Sequence, residues 1–310
     1  MTTRLDRAVG AVLGSAAGDA LGAPYEFGPA GELSARGREM LGGGGWDPGE
    51  ATDDTQMAVL VGEALLEHHG QELLDVLPDV FDRFRRWAAA APKDIGLQTE
   101  DVLTNGHPWD LAAARHFQLN ARAAGNGSLM RASTSAVYFA PAGREATMDA
   151  ARRLAALTHG DRAAWEGTAI LHELVRVALE GSDPLAALPG TLGAVHPDHR
   201  ERYARVLAPD WEPGLATEFN GAVWPCLGSA VWALRTTTGF AEAVRAAVDL
   251  GGDTDTVAAV TGTLAGARYG QAAIPPEWTA PLHVPLPGFG ERVLDAEGLR
   301  ELAQRLAEGT

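Results

Sequence analysis

Glycines spaced within an apolar helical segment most constrain the fold of this chain. Apolar residues recur at helical spacing across residues 5–21, and Gly10, Gly14 and Gly18 are interspersed among them. A glycine inside a helix costs roughly 0.5–1 kcal/mol relative to alanine, so close packing must compensate. Small residues also recur across 255–269, which makes that segment a candidate neighbour for the first helix.

Helical periodicity continues along most of the chain, and we find no convincing hairpin. Residues 275–287 are rich in proline and are expected to run across the protein surface without regular secondary structure. The helical periodicity predicts an all-α fold. Because no change in composition marks a linker, we predict that this fold forms one domain over residues 1–310. The other predicted helices cover residues 55–70, 73–90, 111–124, 131–139, 145–157, 162–180, 184–192, 230–236, 240–249, 255–269 and 296–307.

Composition narrows the classes of function. The net charge of −16 disfavours direct nucleic-acid binding and attraction to anionic membranes. The single cysteine, Cys226, excludes an intrachain disulfide and is expected to be a buried thiol. No stretch reaches the roughly 18 uninterrupted apolar residues of a membrane span. We therefore expect a cytoplasmic protein, with a monomer as the default oligomeric state.

Two acidic clusters lie far apart in the sequence, each directly before an apolar helix. Asp53 and Asp54 are adjacent in TDDT, and Asp253 and Asp255 alternate with threonines in GGDTDT. Helix capping explains one such residue at each helix start, but not this many oxygens. Carboxylates and hydroxyls without histidine or cysteine suit hard cations such as Mg²⁺, Mn²⁺ or Ca²⁺. A shared metal site is therefore favoured over capping alone.

Four further features are ambiguous when each is taken alone. Asp19 falls late in an apolar helix, where structural hydrogen bonding is the expected role. Glu26 falls in a predicted loop, where an exposed glutamate is usually unremarkable. The loop 125–128 has the composition of a common turn, although backbone N–H groups before a helix can bind phosphate. His159 could contact a ligand or be an ordinary loop imidazole.

The combination of motifs is more specific than any single one. GSAAGDALGAPYEF, TDDTQM, GNGSLMR, LTHGD and GGDTDTVAAVTG occur in the order found in the ADP-ribosylglycohydrolases. The chain resembles that family from about residue 5 to about residue 270. The resemblance implies a compact orthogonal helical bundle with a cleft that holds two Mg²⁺ (or Mn²⁺) ions.

The resemblance also assigns expected roles to residues. It implies that the GNGS loop (residues 125–128) cradles the diphosphate of ADP-ribose and that His159 lies near the ligand. Glu26 matches a glutamate that, in relatives, lies on a mobile loop at the metal centre. The implied metal ligands are Glu26, Thr52, Asp53, Asp54, Asp253, Asp255 and Thr256. The implied substrate-binding residues are Gly125, Asn126, Gly127, Ser128, Leu129, Met130, Arg131 and His159.

The function implied by the resemblance is hydrolysis of the bond between C1″ of the distal ribose and an acceptor. The substrate is an ADP-ribosylated compound and the product is ADP-ribose. The metals would hold the ribose hydroxyls and activate water, with Glu26, Asp53 or Asp54 taking its proton. The acceptor stays open between arginine, serine, a nucleic-acid base and a small metabolite; residues 95–110 and 211–223 are expected to contact it. The alternatives are a catalytically silent ADP-ribose binder and a Mg²⁺-dependent nucleotide phosphohydrolase.

Overall fold

The structure, a computed structural model, describes residues 2–37, 39–120 and 123–309. Within these residues, seventeen α-helices and one small antiparallel pair of strands are present. Helices α1 to α17 span, in chain order, Arg4–Gly22, Glu32–Arg36, Asp53–Glu67, Leu73–Ala89, Leu97–Thr104, Ala112–Leu119, Gly127–Met130, Ser133–Phe139, Arg144–Ala156, Arg162–Leu179, Pro184–Gly193, Pro197–Val206, Val223–Thr236, Phe240–Val248, Thr254–Tyr269, Pro276–Thr279 and Ala296–Glu308. Strands β1 (His283–Pro285) and β2 (Val293–Asp295) pair with Val284 opposite Leu294. The prediction of an all-α fold is confirmed.

Helices α1 and α15 pack with their backbones in direct contact. A Cβ atom on Gly262 would lie 2.0 Å from the Gly14 carbonyl oxygen, and one on Gly266 would lie 1.9 Å from the Gly10 carbonyl oxygen. No side chain fits at these points, so the two helices require glycine there. The two helices run antiparallel, and Gly22 therefore meets Thr254, whose hydroxyl donates to the Gly22 carbonyl at 2.9 Å. The packing expected between these segments is confirmed.

Helix α1 also fixes the start of helix α3. The buried carboxylate of Asp19 accepts hydrogen bonds from the backbone N–H of Thr52 at 3.0 Å and of Thr55 at 3.1 Å, and from the Thr55 hydroxyl. Helix N-termini have unpaired N–H groups, and a buried carboxylate needs such donors. Asp19 therefore has the structural hydrogen-bonding role expected from its sequence position.

The core has two main parts. One surrounds α1, α15, α10 and α13, and the other joins α3 to α4 and α5. In the second part, Trp87 is fully buried and its indole N–H donates to Gln56 Oε1 at 2.8 Å. Cys226 is a buried free thiol, as expected. None of the helices in the described ranges is both long enough and apolar enough to span a membrane.

Several helix boundaries differ from the sequence prediction. Helix α13 begins at Val223 rather than near residue 230, because Pro225 is tolerated in the first turn of a helix. Helix α6 covers only Ala112–Leu119, and residues 121 and 122 lie outside the described residues. Helix α12 was not predicted because its sequence is mostly polar and buries only Tyr203.

The expectation for residues 275–287 was wrong. This segment contains α16 and β1, and Trp278, Leu282 and Val284 are buried in it. Its prolines obscured the alternation of apolar residues from Leu282 to Leu286, which is the pattern of a short strand. The indole N–H of Trp278 donates to Glu39 Oε2 at 2.6 Å, which ties the segment to the rest of the fold.

The contact between α1 and α15 predicts the effect of adding one methyl group. Gly262→Ala should destabilise the protein by about 2 kcal/mol or more, because backbone atoms that cannot rotate away occupy the space. Urea unfolding followed by circular dichroism measures the change in the unfolding midpoint.

Gly193→Ala is the matched control, because Gly193 is also helical and a Cβ added there would meet no atom within 4 Å. We expect Gly193→Ala to change stability by less than about 1 kcal/mol. Equal midpoints for the two variants would contradict the close contact.

Candidate functional site

The end of α1 and the starts of α3 and α15 meet at one cleft of about 460 Å³. The packing described above causes this convergence, because Gly22 contacts the first turn of α15 and Asp19 contacts the first turn of α3. The cleft brings together both acidic clusters and the glycine loop. It is lined by Glu26, Phe27, Asp53, Asp54, Asp94, Ile95, Gly96, Leu97, Gln98, Thr99, Gly125, Asn126, Gly127, Met130, His159, Gly221, Asp253, Asp255 and Thr256.

The acidic side chains lie close enough to share ligands. One carboxylate oxygen from each of Glu26, Asp253 and Asp255 lies within 4.8 Å of the other two. The Thr256 hydroxyl donates to Asp54 Oδ1 at 3.4 Å and so joins the two clusters. The other oxygen of Asp54 is buried and has no hydrogen-bond partner in the described structure.

Helix capping does not account for these carboxylates. Thr52 is the N-cap of α3, and its hydroxyl accepts from the Asp54 N–H at 3.3 Å. Asp253 is the N-cap of α15 but makes no side-chain capping bond. Asp53, Asp54 and Asp255 lie within the first helical turns, where the helix dipole favours negative charge.

Burial makes the ionised cluster unfavourable. Burial, followed by the negative charge of neighbouring carboxylates, raises the pKa of Asp53, Asp54 and Asp255 well above the ordinary value. The same causes raise the pKa of Glu26 to about 8. A divalent cation would offset this repulsion, and the carboxylate and hydroxyl oxygens are the donors that a hard cation prefers. The residues present therefore fit a metal site.

The glycine loop, residues 125–128, is hydrogen-bonded to the acidic cluster. Asn126 Nδ2 donates to Asp253 Oδ2 at 2.9 Å, and the Asn126 backbone N–H donates to the Gly221 carbonyl at 3.0 Å. A Cβ on Gly127 would lie 3.2 Å from His159 Cε1, and one on Gly125 would lie 3.4 Å from His159 Nε2. The absence of side chains at Gly125 and Gly127 therefore leaves this wall open beside the imidazole.

His159 is held as a neutral imidazole. Burial, and then the charge of Arg131, lower its pKa well below the ordinary value. His159 Nδ1 lies 2.9 Å from Thr158 Oγ1, and Arg131 donates to the same oxygen at 2.7 Å. The Thr158 hydroxyl can donate to Nδ1 while its oxygen accepts from Arg131. In that tautomer the imidazole proton is on Nε2, which faces the glycine loop.

The remaining residues of the glycine motif differ in position. Met130 lines the cleft, whereas Ser128, Leu129 and Arg131 lie behind its wall. The Ser128 hydroxyl lies 3.0 Å from Thr168 Oγ1, and Arg131 donates to the Gly127 carbonyl at 2.8 Å. These contacts hold the shape of the loop.

Asp94 is a cleft carboxylate that the sequence did not reveal. It lies between α4 and α5, and burial followed by the charge of Asp253 raises its pKa. Its chain neighbour Lys93 donates to the buried carboxylate of Glu50 at 2.6 Å, which anchors the segment near α3. A lone aspartate in a loop carries no pattern that would identify it.

A second pocket of about 680 Å³ continues from the cleft and shares Gln98, Gly125 and Gly221 with it. It extends past the glycine loop, on the side away from Asp53, Asp54 and Asp255, none of which line it. The Arg202 guanidinium carbon lies 3.4 Å from the centroid of the Trp224 ring and forms part of its wall.

The fold is all-helical, and its cleft is lined by carboxylates, as in an enzyme with an acidic active site. The family model for ADP-ribosylglycohydrolase matches residues 1–310. The chain therefore belongs to the ADP-ribosylglycohydrolase family and is a hydrolase of glycosyl bonds.

Individual relatives agree with this assignment. ADP-ribosyl-[dinitrogen reductase] glycohydrolase of Rhodospirillum rubrum is 30% identical over 298 residues, covering 94% of this chain and 95% of the relative. ADP-ribosylarginine hydrolase Tri1 of Pseudomonas putida (strain GB-1) is 29% identical, covering 97% of this chain and 78% of the relative. A solved structure described as an ADP-ribosylglycohydrolase-related protein complex superposes with a TM-score of 0.79 at 36% identity, covering 100% of this chain and 99% of that one.

The raised pKa values predict how stability depends on pH without metal. Burial raises the pKa of Asp19 to about 6 and that of Glu26 to about 8, so the folded state binds more protons than the unfolded state. This contribution to stability is complete below about pH 4 and is lost as the pH rises through about 6 and about 8. Cations that bind the ionised carboxylates should stabilise the protein more at higher pH.

The measurement is the melting temperature in EDTA and in Mg²⁺ from about pH 5 to about pH 8. We expect the difference between the two curves to widen as the pH rises. Asp255→Asn should remove most of the Mg²⁺ effect. A difference that does not change with pH would contradict the electrostatic account.

Proposed function

We propose that this chain is a metal-dependent ADP-ribosyl hydrolase that releases ADP-ribose from ADP-ribosylated arginine. The observation that carries the proposal is the convergence of Glu26, Asp253 and Asp255, whose oxygens lie within 4.8 Å of one another. The name of the Tri1 relative supports arginine as the acceptor. Serine and small ADP-ribosyl compounds are the alternatives that the experiment below tests.

We propose that the cleft holds two Mg²⁺ or Mn²⁺ ions. The proposed ligands are those that the family resemblance implies, namely Glu26, Thr52, Asp53, Asp54, Asp253, Asp255 and Thr256. The unpartnered oxygen of Asp54 supports this assignment, because a buried carboxylate oxygen without a donor is costly. When bound, such ions supply positive charge that balances the carboxylates and polarises sugar hydroxyls.

The remaining parts of the substrate follow the walls of the cleft. The distal ribose lies against the carboxylates, and the diphosphate lies on the open wall at Gly125 and Gly127. The Nε2–H of His159 faces that wall and is a donor for a phosphate oxygen. The second pocket then takes the adenosine part, beside Arg202 and Trp224. Binding of these distant groups orients C1″ for reaction.

The reaction transfers two protons. A water oxygen forms a bond to C1″ while the bond from C1″ to the acceptor breaks. One carboxylate takes the proton of the water, and Glu26, Asp53 and Asp54 are the candidates. The departing acceptor receives a proton, and Asp94 is the assigned donor, because it lines the cleft and is not among the proposed metal ligands. Burial raises the pKa of Asp94, which favours the protonated form that a proton donor needs.

The test is incubation with ADP-ribosyl-arginine, ADP-ribosyl-serine and O-acetyl-ADP-ribose, in Mg²⁺ and in EDTA. We expect release of ADP-ribose from the arginine conjugate in Mg²⁺ and loss of release in EDTA. Asp53→Ala and Asp255→Ala should each lower kcat by about 10³-fold or more, because the site loses a ligand and its charge balance. Chromatography of the nucleotide products measures the rates.

Asp198→Ala is the control, because Asp198 lies on the surface in α12 with its side chain 78% exposed. It should leave the rate unchanged. Formation of AMP or phosphate would favour a phosphohydrolase instead. Tight ADP-ribose binding without turnover of any substrate would favour a silent binder.

The diphosphate assignment predicts a separate effect at the glycine loop. Gly127→Ala should raise the KM and the Kd of ADP-ribose by about 10-fold, because the new methyl group occupies the wall beside His159. The kcat should change much less. Calorimetry with ADP-ribose and steady-state kinetics measure the two effects, with Gly193→Ala as the control. An unchanged Kd would contradict the placement of the diphosphate on this wall.

A further inference from the structure

Lys93 is the only lysine in the chain, and it directly precedes Asp94. Its ammonium group donates to Glu50 Oε2 at 2.6 Å and to the Gly45 carbonyl at 3.3 Å. The same nitrogen lies 5.6 Å from the centroid of the Trp46 ring. The Lys93 side chain therefore connects the loop between α4 and α5 to the segment that precedes α3.

The loop between α4 and α5, residues 90–96, has few other links to the protein. Within the described ranges, no backbone N–H of residues 92–96 donates to a backbone carbonyl. Among the side chains of this loop that the structure describes, only that of Lys93 hydrogen-bonds a distant segment. Ile95 adds apolar contact with the core around α3 and α4. Lys93 is thus the polar tether of the loop that carries Asp94.

Glu50 is a fixed anchor for this tether. Its side chain is only 3% exposed, and its Oε2 also accepts from the Asp47 N–H at 2.9 Å. The backbone on both sides of Glu50 pairs with β1. The His283 N–H donates to the Gly49 carbonyl at 2.9 Å, and the Ala51 N–H donates to the His283 carbonyl at 2.9 Å. Because a buried carboxylate needs a partner, the ammonium group of Lys93 is held firmly at this point.

Asp94 lies at the acidic end of the cleft. It lines the cleft together with Asp53 and Glu26. Burial, and then the charge of Asp94, raise the pKa of Asp53 well above its ordinary value and that of Glu26 to about 8. Because the interaction between charges weakens with distance, Asp94 lies close to both carboxylates. In the proposed function the distal ribose occupies this end, so Asp94 is beside the bond that breaks.

A tether on the adjacent residue controls where the Asp94 carboxyl group lies. Consecutive Cα atoms are about 3.8 Å apart, so fixing the Lys93 side chain restricts the backbone that carries Asp94. Proton transfer requires the donor within about 2.6–3.2 Å of its acceptor atom. A displacement of about 1 Å can cost about 10²-fold in rate. The loop makes no other polar contact, among the described residues, that would keep Asp94 within this range.

We propose that Lys93 and Glu50 are positioning residues, and that their ion pair holds Asp94 beside the bond that breaks. This inference rests on the proposed function, in which Asp94 donates the proton to the departing acceptor. Neither Lys93 nor Glu50 lines the cleft, so both act through Asp94 and not by touching the substrate. Loss of the ion pair should therefore slow the reaction without weakening the binding of ADP-ribose.

The experiment measures kcat and KM on ADP-ribosyl-arginine for Lys93→Met, Lys93→Arg, Glu50→Gln and Asp94→Asn. We expect Asp94→Asn to lower kcat by about 10²-fold or more, because the proton donor is lost. Lys93→Met and Glu50→Gln should each lower kcat by about 10-fold or more, because the donor is displaced. The KM, and the Kd of ADP-ribose from calorimetry, should change by less than about threefold. Lys93→Arg keeps the positive charge and should retain at least about a third of the wild-type kcat.

A double variant tests whether Lys93 acts through Asp94. In the Asp94→Asn background, adding Lys93→Met should lower kcat by less than about twofold, because the group that Lys93 positions is already lost. A general disturbance of the cleft would instead lower kcat by the same factor in both backgrounds. Melting temperatures establish which variants fold, and Glu50→Gln and Lys93→Arg test the ion pair even where Lys93→Met does not fold.

Arg144→Met is the matched control. Arg144 is 44% exposed and pairs at 2.8 Å with the fully buried Glu173, whereas Lys93 is 49% exposed and pairs with the buried Glu50. Arg144 does not line the cleft, and its loss should leave kcat unchanged.

The possible failures are distinguishable. A wild-type kcat in Lys93→Met and Glu50→Gln, with Asp94→Asn impaired, would overturn the positioning role alone, as would equal factors in the two backgrounds. A wild-type kcat in Asp94→Asn would overturn the donor assignment and the positioning role with it. A wild type that releases no ADP-ribose from any conjugate would overturn the proposed function itself, and this inference with it.

Discussion

The backbone contact between α1 and α15 is the interaction on which the rest of the structure depends. Glycines on both helices let carbonyl oxygens of one helix lie where side chains of the other would otherwise be. Because the helices run antiparallel, the end of α1 meets the start of α15. Asp19, near the end of α1, also binds the first N–H groups of α3. One helix therefore aligns the starts of two others and places their acidic turns in one cleft.

This arrangement places several carboxylates at buried positions, where water cannot solvate their charge. Asp53, Asp54 and Asp255 are buried together, and their raised pKa values express the cost of ionising them without a counter-charge. A fold selected only for stability would not place three carboxylates there. The proposed metal site accounts for this cluster, because the charges that destabilise the metal-free protein are those that would bind a cation.

Sequence patterns predicted the helical fold and both acidic clusters, because helix period and residue chemistry are local properties. Glu26 required the family resemblance, since a single loop glutamate has no pattern of its own. Asp94 could not be predicted as a site residue, because it is an isolated residue in a loop. Its place in the cleft depends on neighbours distant in the chain. The error at residues 275–287 has a similar origin, because prolines suggested a surface loop while pairing with β2 and burial of Trp278 decided otherwise.

The sequence by itself determined that α1 and α15 need a close partner, that oxygen ligands gather at two helix starts, and that a glycine loop lies before the helix that became α8. Only the tertiary structure decided which helices meet and which carboxylates share a cleft. The physical reason is that helix propensity and ligand chemistry act within a few residues. Proximity between segments depends instead on how backbones pack, and here glycines decide that packing.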